Sequence, residues 1–331
     1  MPSAHPARQA ALSAGALLLS SITALAAPGV AQAAPASSLL VFPDQDHSAV
    51  YDFLGSATKS VDLTMYELSD SKVVNTLVSK KKAGVKVRVI LDAKRTAKNG
   101  AAYKALKSAG VGVVYSSSEY VFTHQKTITV DGAKSLILTG NLDSTYYTSS
   151  RDYGVFDTDA ADVSAIEKVF AADYAKTAVT PSDGDHLVWS PTDSEDRLLA
   201  LINGAQHTLD VQELEFGDSN LVDAIVAAEN RGVTVRVVGM KPDSYGSYFD
   251  QVKEAGGKVV TFSSTEGLYI HAKAIVADYG TDTAKVFAGS ENFSDNSLNN
   301  NRELGLIVNS PDVLNGIETT FKKDFADGTP Y

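Results

Sequence analysis

There is no cysteine among the 331 residues, which excludes disulfides, thiolate nucleophiles and cysteine-based metal sites. A chain of this length can do without disulfides even outside the cell, because its apolar core is large enough. Positive charge is also scarce: 29 Lys and Arg against 40 Asp and Glu leave a formal net charge of −11. Proteins that wrap a nucleic-acid backbone normally present a basic surface, so this balance opposes that class without excluding a local groove. The densest basic stretch, Lys80, Lys81, Lys82, Lys86, Arg88, Lys94, Arg95 and Lys98, reads better as a solvated helix face. No segment reaches about 18 uninterrupted apolar residues, the length of a membrane span. The one tryptophan, Trp189, reads as a packing anchor rather than a ligand platform.

What is present is the composition of a globular protein, 44% hydrophobic and 21% charged, with length for one large domain or two ordinary ones. Residues 1–33 read as an export signal. Arg8 makes a short basic start, 10–27 form an interrupted apolar run, and Ala31-Gln32-Ala33 is a small-x-small cleavage pattern. The mature protein is therefore expected to be secreted and released rather than anchored.

Self-comparison is the most informative step. Residues 59–92 align without gaps on 207–240, and eleven of the 34 positions are identical, among them Asp62/Asp210, Asp70/Asp218, Gly84/Gly232 and Arg88/Arg236. Unrelated segments would share about two. Each copy reads strand, helix, strand, helix, strand, then a strand pair, ending in a helix over 162–176 or 311–326. Helix-separated strands call for parallel pairing and right-handed crossovers. The expected fold class is α/β, with two similar α/β/α-sandwich halves about a pseudo-two-fold axis: 34–180 and 181–331, with 177–194 as the linker.

Each half carries the same constellation. Residues 124–131 read His-Gln-Lys-Thr-Ile-Thr-Val-Asp and 271–278 read His-Ala-Lys-Ala-Ile-Val-Ala-Asp. Alternation along a strand puts positions i and i+2 on one face, so His124 neighbours Lys126 and His271 neighbours Lys273. An imidazole can be nucleophile, base or acid near neutrality, and an adjacent ammonium suits an anionic centre such as phosphate. The same ammonium would repel a metal ion, and no spaced metal set is present; no metal and no cofactor are expected. Downstream of each strand lie a hydroxyl and an amide, Thr139 with Asn141 and Ser290 with Asn292. Farther on, Arg151-Asp152-Tyr153-Gly154 matches Arg302-Glu303-Leu304-Gly305. A carboxylate there could hold a histidine ring in one tautomer. Chance predicts about 0.4 His-x-Lys pairs in such a chain; two at matching places mark a site. His47, His186 and His207 lack such company and read as surface or packing residues.

The pattern His-x-Lys, four residues, Asp, six residues, Gly-Ser-x-Asn, occurring twice, resembles the phospholipase D superfamily over nearly the whole mature chain. The first copy departs by Leu138 and Thr139 in place of Gly-Ser and by Asp152 for glutamate, and the second by a longer Tyr279–Lys285 turn. The resemblance implies a metal-free phosphodiesterase working through a phosphohistidine. His124 would be the nucleophile and His271 the general acid and base. Lys126, Lys273, Asn141, Asn292, Thr139 and Ser290 would bind the phosphate oxygens, Asp152 and Glu303 would orient the imidazoles, and Asp131 and Asp278 would hold strand ends. The implied substrate is a phospholipid at a membrane or micelle surface, hydrolysed or transferred to an alcohol by a monomer. Tyr146, Tyr147, Tyr245, Tyr248 and Phe249 are the aromatic candidates for that interface. The alternatives are a metal-independent secreted nuclease of the same superfamily and a binding module that has lost catalysis.

Overall fold

The shared residues of the two copies do the same local work. Asp70 and Asp218 cap helices: Asp70 accepts the Lys72 N–H at 2.7 Å and Asp218 the Leu221 N–H at 2.9 Å. Gly84 and Gly232 follow those helices at φ 89° and 93°, a backbone that side chains resist. Asp62 and Asp210 each take a forked ion pair from the arginine on the adjoining strand, Arg88 and Arg236. The structure, a computed structural model, describes residues 1–4, 37–263 and 267–331. The expected export signal, 1–33, lies outside the described residues apart from its first four positions.

The first half runs β1 (Ser37–Phe42), α1 (Ser48–Ser56), β2 (Ser60–Met65), α2 (Ser71–Lys82), β3 (Lys86–Leu91), α3 (Thr96–Ser108) and β4 (Gly112–Tyr115). It continues with β5 (Thr127–Val130), β6 (Lys134–Leu138), β7 (Ser150–Asp157) and α4 (Ala160–Ala175). The second half repeats it: β8 (Leu187–Ser190), α5 (Ser194–Gly204), β9 (Thr208–Glu213), α6 (Ser219–Asn230), β10 (Thr234–Met240), α7 (Pro242–Glu254) and β11 (Lys258–Phe262). Then come β12 (Tyr269–Ile270), β13 (Lys273–Ala277), β14 (Lys285–Gly289), α8 (Asp295–Asn299), β15 (Glu303–Val308), α9 (Pro311–Asp327) and β16 (Thr329–Pro330).

The strands form two sheets of one design. The first is ordered β1-β7-β6-β5-β2-β3-β4 and the second β16-β11-β10-β9-β13-β14-β15-β8. The helix-linked strands β2, β3 and β4 pair in parallel, as do β9, β10 and β11; the short β12 pairs in parallel with β7 of the first half, and the other pairs are antiparallel. The α/β fold of two similar halves is thus the observed one. Each half has its own apolar core, built on Val61, Leu63 and Val89 in one and on Val211, Val235 and Ile275 in the other. A third core joins them: Ile166 and Val169 of α4, Val313 and Ile317 of α9, and strand residues Tyr153, Leu304 and Leu306. Burying both central helices between the sheets fixes the ends of β7 and β15 against the opposite half. The described residues from 37 onward form a single compact unit.

Two expectations are corrected. The stretch 177–194 is linker only to about residue 186; Leu187–Ser190 is strand β8, wholly buried and paired to β15. Its apolar run is flanked by Pro181 and Pro191, and Trp189 packs there with its indole N–H on the Ser182 carbonyl at 3.0 Å. Of the five aromatic residues expected at an interface, Tyr146 alone is exposed. Phe249 is buried on the inner face of α7, against Phe216 and Tyr331.

Candidate active site

The histidines do not stand on the strands, as alternation suggests, but just ahead of them: β5 begins at Thr127 and β13 at Lys273. The reason lies in their backbone partners. The N–H groups of His124 and Gln125 both donate to the Arg302 carbonyl at 2.9 Å, and that of His271 donates to the Arg151 carbonyl at 3.1 Å. Each His-x-Lys segment is therefore pinned to the opposite half before it joins its own sheet.

The side chains cross in the same way. His124 Nδ1 lies 2.7 Å from Glu303 Oε2, and His271 Nδ1 lies 2.8 Å from Asp152 Oδ1. A carboxylate on Nδ1 makes that nitrogen the N–H and leaves Nε2 with its lone pair directed away. The arginines beside these carboxylates cross too: Arg151 makes a forked bond to Asp324 of α9, and Arg302 pairs with Asp173 of α4 at 3.0 Å. Neither half can assemble its own histidine alone.

Lys126 and Lys273 are wholly buried, and each ammonium donates to the carbonyl of its own histidine. Lys273 Nζ also lies 3.5 Å from both ring nitrogens of His271. The two half-sites converge closely enough that each imidazolium is disfavoured by both ammonium groups. Burial is the larger cause, and it drives the His124 conjugate acid down to about 4 against the pull of Glu303. Burial likewise lowers Lys126 to about 7, with Glu303 and Asp152 opposing it. Despite burial, Asp152 stays well below the usual carboxylate range and Glu303 is also lowered, through their histidines and the lysines. The result is a buried centre in which an uncharged His124, and a His271 whose conjugate acid burial also lowers, stand beside two ammonium groups that can take up an anion.

The remaining expected residues divide. Asn141 and Asn292 carry buried amide oxygens without a partner, and Asn141 faces the adjoining cavity. Thr139 does not keep a free donor. Its hydroxyl gives its one proton to Asp152 Oδ1 at 2.7 Å and accepts the Tyr153 N–H at 2.9 Å, so it braces the carboxylate instead of binding phosphate. Ser290 accepts the Leu304 N–H at 3.1 Å and retains its proton. Asp131 and Asp278 lie just past the ends of β5 and β13, at φ 57° and 56°. Their carboxylates collect the N–H groups of 58–60 and 206–208, which ties the start of β2 and β9 to the end of β5 and β13. Among the described residues no set of three His, Asp or Glu is placed to hold a metal ion.

A cavity of about 500 Å³ opens beside His271 and Asp152, walled by Phe42, His47, Tyr147 and Tyr269. His47, expected as a surface or packing residue, is stacked between Phe42 and Tyr147 with centroids 4.1 and 3.3 Å away. Burial lowers its conjugate acid to about 4, so the ring lines the wall uncharged. Lys98, whose ammonium lies 5.5 Å from the ring of Tyr146 on the cavity wall, is bound to Asp143 at 2.7 Å. Of the basic stretch noted above, Arg88 and Arg95 are also committed, to Asp62 and Glu67. His47 has no counterpart in the repeat, so no signal in the sequence marks it.

Two buried acids were also missed, Glu213 and Glu291, both fully enclosed, with Oε2 of the first and both oxygens of the second unpartnered. Their repeat counterparts are Met65 and Gly140. Alignment of the halves draws the eye to what they share, and these differ.

Comparison with known proteins agrees with the fold. A family described as "Cardiolipin synthase, PLD-like domain" matches the chain twice, over residues 50–174 and 198–325. A mitochondrial cardiolipin hydrolase of Danio rerio is 31% identical over 98 residues, which is 30% of this chain and 42% of that protein. The chain thus spans less than half of that relative's length. Among solved structures, the phosphatidylserine synthase of Haemophilus influenzae Rd KW20 superposes with a TM-score of 0.69 at 12% identity, covering 89% of this chain and 87% of that one. The polyphosphate kinase of Porphyromonas gingivalis gives 0.68 at 16% identity, covering 87% of this chain and 50% of the kinase. Likeness at such identities speaks for the fold alone.

Proposed function

Since the chain belongs to the phospholipase D superfamily, we propose that it is an exported, monomeric phospholipase D-type phosphodiesterase that cleaves phospholipid headgroups through a phosphohistidine. The observation that carries this reading is the crossed pair of carboxylate–imidazole couples around two buried lysines. His124 Nε2 attacks phosphorus as the bond to the leaving oxygen breaks, and that oxygen takes the proton held on His271 Nε2. Glu303 keeps the proton on His124 Nδ1 throughout. Water, or an acceptor alcohol, then gives its proton to His271 and attacks phosphorus, and the P–N bond breaks. Lys126, Lys273, Asn141, Asn292 and Ser290 face the charge that builds on the non-bridging oxygens.

The cavity supports a lipid over a nucleic acid. It adjoins His271, on the side where the leaving group departs, and it offers aromatic walls without an unpaired cation. A polynucleotide leaving group carries further phosphates and calls for several. Protein without residues 1–33, assayed in EDTA with lecithin vesicles and DNA side by side, is expected to release choline and leave DNA intact. DNA degradation that falls steeply with salt would favour the nuclease instead. Cleavage of a soluble aryl phosphodiester without choline release would overturn the lipid assignment.

A further inference from the structure

The half-sites match in their histidines and lysines and differ in what stands against the rings. Tyr66 directly follows β2. Its ring meets the His124 imidazole edge to face, with centroids 4.6 Å apart and planes at 72°. The Lys126 ammonium lies over the same ring, 5.2 Å from its centroid, and the Arg95 guanidinium lies 5.3 Å from it. Phe122 completes the group, 5.7 Å from Tyr66 and also edge-on. These spacings are those of favourable aromatic and cation–π contacts. The backbone under Tyr66 is fixed from α3: the buried Asn99 amide donates to the Tyr66 carbonyl at 2.9 Å and accepts the Leu68 N–H at 2.9 Å. Glu67, the residue between them, holds Arg95. In the second half the place of Tyr66 belongs to Leu214, which packs into the core with Val238 and Ile270. The ring beside His271 is Tyr269, the repeat counterpart of Phe122, 6.2 Å away and inclined at 27°. That imidazole opens on the cavity.

We propose that Tyr66 is a positioning residue: its ring braces the His124 imidazole and the Lys126 ammonium in one fixed arrangement, which makes this half-site the rigid, attacking one. The proposal rests on the phosphohistidine reading above. Glu303 holds the imidazole at Nδ1, but the last torsion of a histidine is soft, and one hydrogen bond leaves the ring room to swing. Contact with Tyr66 on another side removes that swing, so Nε2 keeps its aim at phosphorus. The rate of attack depends steeply on such aim. His271 gives a proton to one oxygen and takes it from another, so a less confined ring serves it. Tyr66 acts by contact; no bond to it forms or breaks, and its hydroxyl is not required.

The first turnover separates bracing from support of the fold. With a soluble nitrophenyl diester at saturating concentration in EDTA, the rate constant of the nitrophenol burst reports attack by His124. It does not depend on the fraction of molecules that is folded, whereas the burst amplitude does. Tyr66→Leu, which gives this half the side chain of the other, is expected to slow the burst about tenfold. Tyr66→Phe keeps the ring and should stay within about twofold of wild type. A smaller amplitude at an unchanged rate constant would overturn the proposal and mark the ring as structural. So would failure to fold by both Tyr66→Leu and a second ringless variant, Tyr66→Met. A Phe variant as slow as the Leu variant would overturn it too, by assigning the effect to the hydroxyl. Absence of a burst in the wild-type protein would instead count against the phosphohistidine, and kcat of the same variants would then decide the brace.

Discussion

Lys126 and His124 between them set the pH range of the free protein. The imidazole is competent only when unprotonated, and its conjugate acid lies at about 4, so activity rises through that pH. The ammonium is useful only when protonated, and burial has brought it to about 7, so activity falls as pH rises through that value. The expected kcat/KM profile is a bell between these limits, with His271 sharing the falling limb as a coupled titration. Bound phosphodiester adds a negative charge that favours every cation around it. The falling limb of kcat should therefore lie above that of kcat/KM, a difference read from complete profiles on one soluble diester. At this scale the sequence was legible where residues repeat. His124, Lys126, His271 and Lys273 stood out because coincidence seldom places the same pair twice. Thr139 was misjudged because a hydroxyl has one proton, and only coordinates show which acceptor takes it. Glu213, Glu291 and His47 were invisible because their burial comes from what surrounds them after folding.

Strand ends, more than whole strands, carry the site. Arg151 and Arg302 sit where β7 and β15 reach the opposite half. The carbonyl of each holds a histidine N–H, and its guanidinium holds an aspartate on a central helix. Arg151 and Asp324 are both essentially unexposed. Removing one partner leaves the other charge buried without compensation, at a cost of about 3–5 kcal/mol. Arg151→Ala is expected to lose about that much in denaturant unfolding, and to lose activity by freeing the end of β7 whose main-chain carbonyl holds His271, even where the fold survives. Unchanged stability would show that the clasp is dispensable. The periodicity that placed most helices and strands said nothing of this crossing, because it reports which face is apolar and not which half a strand end meets. The same limit explains β8: four apolar residues between turn signals look like linker until β15 supplies their partner.

At the scale of the whole molecule, the crossed carboxylates make each half depend on the other, and the proposed function takes the duplication as one site rather than two. The halves share a core through α4 and α9, and each contributes the carboxylate that holds the other's histidine. That dependence was beyond the reach of the repeat alone, which is equally compatible with two independent centres. The most direct test is turnover of a soluble phosphodiester in EDTA by His124→Ala and His271→Ala, each checked for folding by thermal melt. A shared site predicts that each variant loses at least about a thousandfold in kcat. Roughly half of the wild-type rate remaining in either one would contradict it.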